Sequence, residues 1–162
     1  VSNSALAPAQ VRNGELIDAL LAQVERMKAD KLGEPMGLKN RDRKPNGYFA
    51  ESWRSENSLA NLQNNLLAVQ QLIRPAQGYG LFQYLKDSQQ QAVADELVIK
   101  LDNAQQALQQ IHPPLTSAVT DPAQQPALQN AHRALGELAT FCKQKLATAL
   151  GLTLGVNSND GD

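Results

Sequence analysis

This sequence has few aromatics, one cysteine and no excess of charge of either sign. Aromatic residues make up 4% of its 162 positions. Strands draw on aromatic and β-branched side chains, so a chain whose apolar mass is carried by Leu and Ala points away from sheets. The single cysteine, Cys142, excludes an internal disulfide. It lies in a helical apolar pattern with no base or helix N-terminus beside it, and so reads as a buried, inert thiol. With 15 basic and 16 acidic residues the net charge is −1. There is thus no global electrostatic case for nucleic acid or for an anionic membrane. No apolar run reaches the roughly 18 residues that suggest a membrane span. Residues 1–9 lack the charged and apolar regions of a signal peptide.

What is present is a helical repeat of apolar residues. Hydrophobic residues make up 42% of the chain, enough for one domain with one sizeable core. A first helix is expected over 10–32, with Leu16, Ile17, Leu20, Leu21, Val24 and Met27 on one face and Gly33 as its stop. A second is expected over 56–74, with Leu59, Leu62, Leu66, Val69 and either Leu72 or Ile73 facing inward. Residues 81–86 suggest a short helix. Ser88 reads as the N-cap of a long helix reaching His112, where Pro113 and Pro114 stop it. A brief helical turn is expected at 115–119. Asp121 followed by Pro122 is a start signal for the last long helix, closed by Gly151. Paired glutamines along these segments read as solvated helix face. The expected fold is all-α: a four-helix-bundle-like domain with a long loop between its first two helices and a short polar C-terminal tail.

Chemistry is sparse. His112 and His132 stand outside any zinc motif, and no cysteine pair supplies one. His132 and Glu137 lie five residues apart, about 140° round a helix, so they do not converge. Both histidines read as structural or surface residues, and no catalytic residue is assigned. The loop over 33–55 is long enough to be functional. Its Lys39, Arg41, Arg43 and Lys44 read as a solvated charge run. Tyr48, Phe49 and Trp53 would pin the loop to the bundle, and Arg54 beside them would present a fixed fork of donors, either to a ligand or to a structural carboxylate partner. In the tail, Asn157, Asp160 and Asp162 could supply oxygen ligands to a hard cation, without the spacing of a calcium loop; Asx turns at a hydrogen-bonded terminus are the commoner use of such residues.

Two stretches carry a family resemblance. These are RDRKPNGYFAESWRSENSLANLQNNL at 41–66 and ALGLTLGVNSNDGD at 149–162. Together they resemble the C-terminal half of imelysin-like proteins, iron-regulated bacterial envelope proteins also classed as imelysin peptidases. The resemblance implies a two-domain helical protein of the periplasm or outer envelope, linked to iron acquisition. The family's peptidase label rests on a G-x-H-x-x-E motif in its other half. Neither His112 nor His132 has glycine two positions before it or glutamate three after it.

By motif, Trp53, Arg54, Ser55, Asn157, Asp160 and Asp162 are then the ligand-binding candidates on one wall of an interdomain cleft. The leading expectation is a binding role in iron acquisition. The alternatives are one half of a zinc-dependent peptidase and a non-catalytic structural interaction domain. Iron or zinc is possible in the full-length protein, with no complete metal site in these residues. The expected partner is an N-terminal helical half, or a second copy of the chain, with no nucleic acid and no transmembrane span.

Overall fold

The computed structural model describes residues 8–152, with side chains from Arg12 onward. Among these residues there is no strand, so the expected all-α class holds. Four long helices form a ring: α1 (Pro8–Arg26), α2 (Ser58–Ile73), α4 (Gln91–Gln109) and α6 (Gln125–Phe141). Each packs on the next, α1 on α2, α2 on α4, α4 on α6, and α6 back on α1. Short α3 (Leu81–Asp87) lies against α4 and α2, and α5 (Leu115–Ala118) against α2. No described helix is long and apolar enough to cross a membrane.

Apolar periodicity explains the ring. Ile17, Leu20, Val24 and Met27 of the first helix are buried, as are Leu62, Leu97, Leu108, Leu128, Leu135 and Leu138 of the others. Each buried leucine contributes about 1.5–3 kcal/mol relative to an exposed one. The open choice in α2 resolves cleanly: Ile73 is fully buried and Leu72 is 51% exposed.

Two long helices change pitch. The first continues as a π-helix over Met27–Gly33, and the last over Cys142–Leu146 before a final turn at Ala147–Ala149. Sequence periodicity carries no sign of either, because a π turn shifts the apolar face by a fraction of a turn without breaking it.

Three expectations are corrected. Gly33 is not the stop of the first helix; it is the last residue of the π stretch. The left-handed residue that ends the turn is Gly37, at φ +82°, with the Leu38 N–H donating to the Gly33 carbonyl at 2.9 Å. Ser88 does not cap α4. It closes α3, where Gln89 takes φ +61° and the Gln90 N–H donates back to the Leu85 carbonyl. Gln124 is not solvated face: it is buried, and its side-chain oxygen accepts from the His112 N–H at 2.8 Å. The start at Asp121 is as expected. Its carboxylate accepts from the Ala123 N–H at 2.9 Å, and one 3₁₀ turn at Pro122–Gln124 leads into α6.

The segment between α1 and α2 is held by its own hydrogen bonds. The Asn46 N–H donates to the Pro35 carbonyl at 2.8 Å. The Asn40 side chain accepts from the Lys44 N–H and donates to the Lys44 carbonyl. Gly47 sits against the Thr116 backbone, where an added Cβ would collide with it. That contact seats the loop on α5.

Candidate binding site

Two 3₁₀ turns, Gly47–Phe49 and Trp53–Ser55, build the first candidate. Asn46 caps the first by accepting from the Tyr48 N–H at 3.0 Å. The second lies between two left-handed residues, Ser52 and Glu56, both at φ 58°. Such conformations in non-glycine residues persist only where surroundings enforce them. Here the Ser55 hydroxyl donates to the Ser52 carbonyl, and Asn61 donates to the Ser52 hydroxyl at 3.1 Å. The Ser58 hydroxyl donates to the Glu51 carbonyl instead of capping α2. Glu51 in turn pairs with Lys31 at 2.7 Å.

This frame fixes a small platform. Trp53 is half-buried against the core, and Tyr48 meets it edge-on with ring centroids 4.9 Å apart. The Arg54 guanidinium lies 4.8 Å from the centre of the Trp53 ring. Arg54 and Ser55 are exposed. No carboxylate among the described residues pairs with Arg54. Asn157, Asp160 and Asp162 lie outside the described residues.

The other singled-out residues are distributed elsewhere. Lys39 pairs with Asp30 at 2.7 Å, which raises its pKa, and Arg43 donates to the Leu38 carbonyl. Arg41 and Lys44 are exposed. The stretch is a solvated, locally tied charge run. Cys142 is buried, and burial pushes its thiol up to about 12, so it carries no thiolate at neutral pH. His112 is exposed.

His132 has a setting that sequence alone missed. It is half-buried in a groove of about 570 Å³ where the first helix, α4 and α6 meet. Lys28, Glu96, Lys100, Glu137 and Lys145 line the groove with it. Burial, and then the charge of Lys28, push the imidazole pKa below its ordinary value. Lys100 pairs with Glu137 at 3.2 Å and Lys145 with Glu96 at 2.9 Å, tying α4 to α6 and to the π stretch that follows it. One available signal was Gly136, an unpunctuated glycine within a helix pattern. A Cβ there would sit 3.3 Å from Cε of Lys28. Among the described residues no three His, Cys, Asp or Glu side chains converge to hold a metal.

Comparison with protein families decides the relationship. The family model described as Imelysin matches residues 5–140. The chain belongs to the imelysin family. The match takes in the Trp53-Arg54-Ser55 step and stops short of the tail motif at 149–162. Comparison with curated proteins and with solved structures returned no match. The imelysin assignment therefore rests on the family model, alongside the all-helical fold.

Proposed function

We propose that this chain is a binding module of an imelysin-type protein of the bacterial envelope that serves iron acquisition. It contributes one polar wall of a cleft whose other wall is a second helical domain, in the periplasm or at the outer envelope. The observation that carries this reading is the Arg54 platform. An arginine stacked on a braced indole, exposed and free of a carboxylate among the described residues, offers paired donors in a set orientation to an anionic oxygen ligand. Family membership supports the link to iron. Asn157, Asp160 and Asp162 would extend the same wall.

Titration of ferric iron and of haem into the full-length protein tests the reading, with Arg54→Ala and Asp160→Ala compared. Both variants should fold; Arg54→Ala should bind haem, which carries carboxylates, about tenfold more weakly, and Asp160→Ala should weaken ferric iron by a similar factor, the scale of one lost charged interaction. Unchanged binding in both would remove these residues from the site. The peptidase designation of the family favours a second reading, a zinc-dependent peptidase. The described residues do not fit a metal, so its ligands would come mainly from the other half. Metal-dependent peptide cleavage by the full-length protein, lost with the histidine of that half's motif, would replace the binding reading with this one.

A further inference from the structure

The groove around His132 shares no residue with the Trp53–Ser55 turn. Three segments distant in sequence build it: the π stretch of the first helix, α4, and α6 with its own π stretch. Both π-helical stretches among the described residues thus line one groove, through Lys28 on one side and Gln144 and Lys145 on the other. Such turns concentrate at functional sites, because they displace a helix from its regular register and re-aim its side chains.

Gly136 opens the groove. Gly33 lies behind His132, where a Cβ would make ordinary contact with Nε2 at 3.6 Å and collide with the Lys28 carbonyl at 2.9 Å. A Cβ on Gly136 would crowd the end of the Lys28 side chain, at 3.3 Å from Cε and 3.4 Å from Nζ. Gly136 is interior to α6, where glycine costs about 1 kcal/mol relative to alanine. Gly136 leaves space for the Lys28 side chain on the groove, which His132 and Phe141 also line.

Charge selects the occupant. Of the lining cations, Lys100 and Lys145 are each paired with a glutamate. Among the described residues Lys28 and Arg133 have no carboxylate partner, and Arg133 donates to the Asn130 side chain at 2.6 Å. An anion is therefore expected beside Lys28, within reach of the neutral imidazole as a further donor. Glu96 and Glu137 are each offset by their lysine partners, so the charge of the site is set by Lys28 and Arg133. The exposed lining of the groove is mainly apolar, and with the aliphatic stems of the lysines it gives cover to an apolar body.

We propose that this groove is a second binding site, for a small monocarboxylate with an apolar body, its carboxylate on Lys28 and His132. The site is independent of the Arg54 platform and of any iron ligand.

The test uses hexanoate as probe, with hexanol and inorganic phosphate as comparisons, followed by nuclear magnetic resonance of the chain. Hexanoate should cause saturable shifts in His132, Gly33 and Gly136. Hexanol should bind at least about tenfold more weakly for want of one charged hydrogen bond, and phosphate by a similar factor for want of an apolar body to bury. Lys28→Met should lose a similar factor. Gly136→Leu fills the groove floor with a better helix former and should abolish the shifts while α6 stays helical. Three results would each overturn the proposal: no saturable shift with hexanoate, phosphate binding as well as hexanoate, or full binding retained in Gly136→Leu. If Lys28→Met fails to fold, the wild-type comparison of the three probes and Gly136→Leu still decide.

Discussion

Single residues in this chain act through where the backbone lets them sit. His132 is the sharpest case. Its imidazole meets Lys28 from the first helix, with Arg133, Glu137 and Lys145 on its own helix and Glu96 and Lys100 from α4 lining the same groove. Its folded pKa lies below the ordinary 6.5, because burial and Lys28 both oppose the imidazolium. In mild acid the unfolded chain takes up the proton first. His132 therefore contributes stability above 6.5, and this is lost as pH falls toward the folded value. Urea unfolding at neutral and mildly acidic pH should show a loss in wild type that shrinks in His132→Gln. Gly33 gives a second prediction at this scale. An alanine there would lie 2.9 Å from the Lys28 carbonyl. Gly33→Ala should destabilise the chain by about 1–3 kcal/mol, the usual penalty of overpacking, read from the denaturation midpoint.

Elements were legible to the extent that they follow a period. The four buried faces appear in the spacing of leucines because a regular helix returns to the same side every three or four residues. The start at Asp121 was legible because an Asp-Pro step carries its own mechanism. Asp121→Ala should cost about 0.5–2 kcal/mol by removing the cap on the Ala123 N–H, with fraying at Pro122–Gln124 visible in amide exchange. Ser88 misled because the deciding residue is its neighbour: Gln89 adopts a left-handed conformation that its side chain does not advertise. The Trp53-Arg54 stack was half legible, since adjacent residues can be read as neighbours. Its bracing by Tyr48, and the two left-handed flanks that shape the turn, come from tertiary packing. The His132 groove was illegible for the same reason, since its residues come from three helices and no local pattern joins them.

At the scale of the whole molecule one apolar core joins all the long helices. Leu97 is fully buried within it, whereas Leu72 is half-exposed on α2. Leu97→Ala should cost about 2–5 kcal/mol, and Leu72→Ala far less; thermal unfolding of the two variants checks the contrast. The pitch changes at Met27–Gly33 and Cys142–Leu146 add a constraint of another kind. A π turn holds more residues than an α turn, so each of these stretches behaves like an insertion absorbed within a helix. Removing one residue from the earlier stretch would let a regular helix form while its flanks keep their places, whereas the same deletion in a regular α stretch would rotate everything after it by about 100°. What would be lost is the local re-aiming of the bulge's own side chains, Lys28 and Lys31 among them, and with it the Lys31–Glu51 pair. At these two places the chain should tolerate the loss of one residue better than anywhere else in its long helices.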